Sequence, residues 1–325
     1  MGRHGRIWLQ TRCLYFRGYL LCRFSWSITF PLEKHNLSEK PLKTPLPPST
    51  WVIAAIASTQ LGSALAKSVF DQVGPLGMVL LRVGLAAMIL LALWRPRWRG
   101  YSRRDYAILL GFALALVGMN SFFYSAIARI PIGVAVALEF TGPLTIAWLN
   151  SQRRLDGLWV VLAAIGIVLL SPLNTTGLDG WGVLFALLAG AGWGCYIPLS
   201  ARMGQVFSGS DGLALAMGVG ALLLLPIGLA VEGTALLNPQ VVLAGLGVAL
   251  LSSAVPYSLE LAALRSMPLN VFGVLMSLEP AIAALIGFVG LGETLTPKMV
   301  LAIALIVVAA VGVSMHSRPD KSSAN

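Results

Sequence analysis

Two carboxylates stand in the middle of stretches that are otherwise apolar. Glu139 is the one charged residue between Ile130 and Leu149 in RIPIGVAVALEFTGPLTIAWL (Arg129–Leu149), and Glu279 is the one charge in SMPLNVFGVLMSLEPAIAALIGF (Ser266–Phe288). Taking an unpaired carboxylate out of water is costly unless it accepts a proton or finds a cation. In a lipid-embedded segment such a residue marks a site, and the chemistry open to it is proton exchange or capture of an ammonium group. Arg82, in LLRVGLAAMILL, is the cation that could face them. It either pairs Glu139 or a substrate carboxylate, or it snorkels to the nearer interface. One cation cannot neutralise two acids, so the remaining acid must hold a proton, bind substrate, or do each in turn.

The two acidic stretches are related to each other. Sliding the second back by 137 positions lays Pro268 on Pro131, Pro280 on Pro143, Ala263 on Ala126 and Val271 on Val134. Glu279 then falls about one helical turn from Glu139. Self-similarity of this kind in an apolar chain is the mark of a transporter built from duplicated halves.

The elements that must carry these residues follow from composition. The chain is 57% hydrophobic and 11% charged, against roughly one quarter charged in soluble proteins. Nearly everything after Trp51 is divided into runs of about 20 apolar residues, the length that crosses hydrocarbon as a helix. The runs predict ten spans, at 51–70, 75–94, 106–127, 131–149, 156–172, 180–200, 212–231, 240–262, 268–290 and 297–315. The fold class is therefore all-α and integral to the membrane. The domains are a basic extension over 1–48 expected to be poorly ordered, a first repeat over 49–173, a second over 174–316 and a polar tail over 317–325.

Net charge of +10 does not indicate a nucleic-acid partner, because residues 1–48 supply +6 of it and short loops hold most of the rest. Arg95, Arg97, Arg99, Arg103, Arg104, Arg153, Arg154, Arg202, Arg265, Arg318 and Lys321 fall in alternate loops. The other side has Asp71, Asp179, Glu232 and Glu293, with only Arg129 and Lys298 as cations. This bias predicts both termini in the cytoplasm. Five spans per half is an odd number, so the second half enters the membrane inverted. Counting about 1.5 Å per residue from each helix start, Glu139, Glu279, Arg82 and Asn120 all fall near one level close to the midplane. Among the other polar residues, Lys67 is expected to snorkel and Glu260 to pair with Arg265 at an interface.

Tyr124, Trp193, Tyr196 and Tyr257 read as packing or interface aromatics unless they line a pocket. Gly190 and Gly194, four apart, suit close helix approach. Pro143, Pro198, Pro256 and Pro280 are expected to break spans and free backbone groups, which must then face protein or a wet cavity. Cys13, Cys22 and Cys195 have no metal spacing and read as reduced thiols. No metal cluster, nucleophile motif or phosphate loop is present in the sequence, and His4, His35 and His316 lie outside the spans, so neither an enzyme nor a cofactor is expected.

The segments VALEFTGPL (Val136–Leu144), WGCYIPLSARMG (Trp193–Gly204), SSAVPYSLELAALR (Ser252–Arg265) and FGVLMSLEPAIAALIGFVGLGE (Phe272–Glu293) resemble the bacterial threonine and homoserine exporters. These belong to the EamA group of the drug/metabolite transporter superfamily. The resemblance spans about residues 50 to 315, and the basic extension before it departs from the family. It implies ten helices in two inverted five-helix repeats, a bacterial inner-membrane location, and amino-acid efflux in exchange for protons. The partners expected are a small amino acid, protons and the lipid bilayer, with a homodimer left open. In the site that follows, Glu139 and Glu279 carry the proton or bind the substrate ammonium. Arg82 holds the carboxylate, and Asn120, Trp193, Tyr196 and Tyr257 shape the pocket. An exporter of other metabolites or drugs with the same fold, or a membrane scaffold that transports nothing, are the alternatives.

Overall fold

The computed structural model describes residues 13–16, 19–22, 47–149, 156–169, 178–207, 211–264, 267, 272 and 275–316. Most of the N-terminal extension, the C-terminal tail, Arg153, Arg154 and Arg265 lie outside them, as do the first turns of the ninth expected span. The chain separates into two units, Met1–Lys43 and Thr44–Asn325.

In the first unit, β1 (Cys13–Phe16) and β2 (Tyr19–Cys22) form an antiparallel pair with Cys13 opposite Cys22 and Phe16 opposite Tyr19. The expectation of an all-α chain did not include this hairpin. Its signal is local: CLYF and YLLC are rich in strand formers and are separated by two residues, the second a glycine.

The second unit is helical. Its elements are α1 (Pro48–Ser68), α2 (Pro75–Trp94), α3 (Arg103–Ile127), α4 (Ile132–Glu139), α5 (Thr141–Leu149), α6 (Asp156–Leu169), α7 (Gly180–Val206) and α8 (Asp211–Glu232). After a 3₁₀ turn come α9 (Pro239–Ala249), α10 (Val255–Leu264), α11 (Glu279–Leu291) and α12 (Pro297–His316). Their starts carry familiar signals. Proline occupies the first turn of α1, α2 and α9, where no N–H is needed. Ser102 and Asp105 form a capping box on α3, and the Asp179 carboxylate accepts from the Trp181 N–H at the start of α7.

Among the described residues, four helices are long and apolar enough to cross a membrane: Pro75–Trp94, Arg103–Ile127, Gly180–Val206 and Asp211–Leu237. Several others are shorter because spans are interrupted. The expected fourth span divides at Phe140 into α4 and α5, and the eighth holds a π turn, Leu250–Ala254, between α9 and α10. Proline chemistry underlies both interruptions. Pro143 cannot donate to the carbonyl of Glu139, four residues back, and Pro256 cannot donate to that of Ser252. Pro198 departs from expectation, for α7 runs through it unbroken. There the loss of one backbone donor is absorbed within a helix of 27 residues.

Packing follows a repeated scheme. Helix α3 lies on α7, just as α1 lies on α9, the π turn and α10; α4 and α5 meet α7, just as α11 meets α1. Helix α2 pairs with α8, α4 with α11 and α6 with α12. The core is small-residue and aliphatic, with Val134, Ala135, Val136, Ala137 and Leu138 of α4 all at most 1% exposed. An eight-residue helix sheathed on every side by protein holds Glu139 at its end.

Candidate functional site

A cavity of about 200 Å³ opens among the helices of the second unit. Its walls include Arg82 from α2, Asn120 from α3, Glu139 from α4, Trp193 and Tyr196 from α7, and Glu279 from α11. Six of the seven residues that the sequence singles out thus meet at one cavity. The seventh, Tyr257, lies on α10, but its side chain falls outside the described residues.

The π turn in the eighth span supplies a partner for the arginine. Arg82 is 8% exposed and does not snorkel. Its Nη2 donates to the carbonyl of Ser252, inside that turn, at 3.0 Å. Its Nη1 donates to the Tyr124 hydroxyl at 3.3 Å, and the guanidinium carbon lies 5.6 Å from the centre of that ring. Tyr124, read as a packing aromatic, is fully buried and orients the cation. These contacts place the planar guanidinium at the cavity wall.

Glu139 is 8% exposed and ends α4, where its carbonyl faces Gly190 of α7. A Cβ at Gly190 would stand 2.7 Å from that oxygen, and one at Gly142 would run into the Gly190 carbonyl. Glycine at both positions lets α7 press against the break, which fixes Glu139 at the cavity wall. Across the cavity, Glu279 opens α11 at 9% exposure. Its Oε1 accepts from Gln60 Nε2 at 2.9 Å. Among the described residues, Glu279 Oε2 and Gln60 Oε1 are buried without a hydrogen-bond partner.

The remaining wall is ordered by stacking. Tyr196 stacks on Phe112 with ring centres 4.7 Å apart, and Trp193 meets Phe140 edge-on at 5.4 Å. Asn120 donates from Nδ2 to the Leu116 carbonyl at 2.8 Å, which leaves its side-chain oxygen for the cavity.

Lys67, expected to snorkel, holds its ammonium at the end of α1: its Nζ lies 2.6 Å from Glu293 Oε1 and donates to the Ile130 carbonyl at 3.0 Å. Glu293 also accepts from the Ile132 N–H, at 2.9 Å to Oε2, so a carboxylate caps α4. Opposite charges at bonding distance, with a helix N-terminus to share, hold the lysine among the segments that join the spans on this side. Arg265, the expected partner of Glu260, lies outside the described residues, and Glu260 lines the cavity. The π turn before it holds more residues than an α turn and so shifts the facing of everything beyond.

Gln60, Thr59, Ser63 and Ser252 also line the cavity and were not singled out from sequence. The available signal was ASTQLGS (Ala57–Ser63), a polar patch inside the first span.

Comparison with known proteins accords with this architecture. Residues 180–315 match the EamA-like transporter family. The threonine/homoserine exporter RhtA of Escherichia coli (strain K12) is 43% identical over 276 residues, which cover 84% of this chain and 93% of that protein. RhtA of Salmonella typhimurium (strain LT2) is 42% identical over the same length, with the same coverage. An uncharacterized transporter, YwfM of Bacillus subtilis (strain 168), is 27% identical over 256 residues, or 76% of this chain and 86% of that one. A crystal structure at 21% identity aligns with a TM-score of 0.56 over 81% of this chain and 95% of that chain, a likeness of fold alone. This chain, a multi-pass membrane transporter and not an enzyme, belongs to the EamA-like transporter family.

Proposed function

We propose that this chain exports threonine, homoserine and similar small amino acids across the bacterial inner membrane in exchange for protons. The observation that carries the reading is the cavity that joins two carboxylates to a buried guanidinium. A zwitterion leaving water needs both its charges met, and an arginine facing carboxylates is the least that will do so. Arg82 binds the substrate carboxylate. Glu139 and Glu279 receive the ammonium or a proton, so that loading one releases the other. Asn120, Trp193, Tyr196 and Tyr257 shape the pocket around them.

Cavity size supports a small solute. Drug-sized ligands occupy pockets of roughly 300–1,000 Å³, whereas this one is about 200 Å³. The names of the RhtA relatives supply the substrate class.

The carrier works by alternating access between two inverted five-helix repeats, residues 49–173 and 174–316, that make ten spans with both termini cytoplasmic. The reciprocal packing scheme supports this: exchanging first-half for second-half spans maps the contact of α3 with α7 onto that of α1 with the π-turn helix, and returns the α2–α8, α4–α11 and α6–α12 pairs to themselves.

Proteoliposomes carrying a pH gradient test the reading. Wild type should drive threonine uptake against its gradient, and Glu139→Gln and Glu279→Gln should each lose most of the proton-driven flux. Undiminished flux in both variants removes the carboxylates from the mechanism.

A further inference from the structure

One pair of buried oxygens in the cavity has no use in the fold. Gln60 is 1% exposed on α1, and Glu279 is 9% exposed at the start of α11. The amide donates from Nε2 to the carboxylate Oε1 at 2.9 Å, which fixes the rotation of both groups. Amide Oε1 and carboxylate Oε2 are then left buried with no donor among the described residues, and both side chains line the same cavity. Folded proteins rarely strand buried acceptors, because each gives up water and regains nothing. Two stranded acceptors beside a carboxylate call for a ligand that is cationic and carries at least two N–H donors. A primary ammonium meets both demands. A hydroxyl offers one donor and no charge, and a tertiary ammonium has charge but one N–H.

On the reading of this cavity as an amino-acid carrier site, we infer that Gln60 is a specificity-determining residue that forms with Glu279 a two-point acceptor for the substrate's primary ammonium. The amide does two things there. Its N–H holds Glu279 so that Oε2 is presented, and its oxygen is the second acceptor. The site therefore selects an α-amino acid over its 2-hydroxy and N,N-dimethyl counterparts, which match it in the carboxylate that Arg82 would meet.

The test uses the full-length protein, with threonine, its N,N-dimethyl derivative and the matching 2-hydroxy acid as probes. Flux into proteoliposomes and ligand-induced shifts of melting temperature in detergent are read in parallel. Wild type should favour threonine over both analogues by roughly tenfold or more, the scale of one hydrogen bond to a charged group. Gln60→Met, which keeps length and loses both polar atoms, should raise KM for threonine about tenfold and narrow the preference toward unity, with kcat less affected. Gln60→Glu keeps the second acceptor and, when the two carboxyls share one proton, replaces the amide N–H by an O–H, so in detergent at acidic pH it should keep the preference, which leaves a readable variant if Gln60→Met fails to fold. An unchanged preference in Gln60→Met, or a preference lost in Gln60→Glu at acidic pH, overturns the inference. Absence of flux in wild type counts against the carrier reading. A threonine-induced melting shift that Gln60→Met abolishes would still uphold the inference, and no shift in wild type would overturn it.

Discussion

Arg82 and Ser252 are 170 residues apart in the chain, yet the π turn brings them together. Pro256, which has no N–H to give, follows that turn. In Pro256→Ala the restored N–H favours ordinary α winding, so melting temperature should rise by a few degrees, while threonine flux falls because the Ser252 anchor of the guanidinium moves; rising flux or falling stability would falsify this. Arg82→Lys keeps the charge but not the fork that reaches Ser252 and Tyr124 together. With about 1.5–3 kcal/mol riding on each charged hydrogen bond, KM should rise roughly 10- to 100-fold, as measured by initial rates over a threonine series. At this scale the sequence was informative about charge and silent about amides. Acids and an arginine stand out in an apolar span, whereas Gln60 sits among Ser and Thr and is distinguished only by the partner it meets in space.

Whole helices are placed by what is missing from them. Gly142 and Gly190 let α5 and α7 touch backbone to backbone behind Glu139. A methyl group at either position has nowhere to go, so Gly190→Ala should cost about 1–3 kcal/mol and lower melting temperature, read by fluorescence-detected size exclusion after heating. Lys67, Glu293 and the start of α4 form a second junction. Removing one partner of a buried pair strands the other, at about 3–5 kcal/mol when burial is complete. Lys67 is 23% exposed against 9% for Glu293, so the cost should fall below that range. Glu293→Gln still accepts from the Ile132 N–H, so it should be milder than Glu293→Ala by thermal unfolding. Helix positions were legible from hydrophobic runs, and the interruptions at Pro143 and Pro256 from proline. What eluded the sequence was the winding after Ala249, since a π turn has no compositional signature, and with it the facing of Glu260.

On the scale of the molecule, every described residue that lines the cavity belongs to the unit Thr44–Asn325. A chain beginning at Thr44 behind a new initiator should therefore insert and carry threonine at a rate close to that of the full chain; loss of flux with normal membrane yield would tie residues 1–43 to transport. The proposed duplication rests on a 137-residue offset in the sequence, and that slide could not tell which helices of one half would embrace which of the other. That requires contacts between residues far apart in the chain, which no local pattern encodes. The over-wide turn at Leu250–Ala254 has one more consequence. Were it to tighten into ordinary α winding, the segment beyond would swivel by about 100°, the angle of a single residue. Glu260 would swing off the cavity wall and the Ser252 oxygen away from Arg82. One residue of slack thus sets both an acid and an arginine anchor, and a small change of pitch would alter the whole chamber at once.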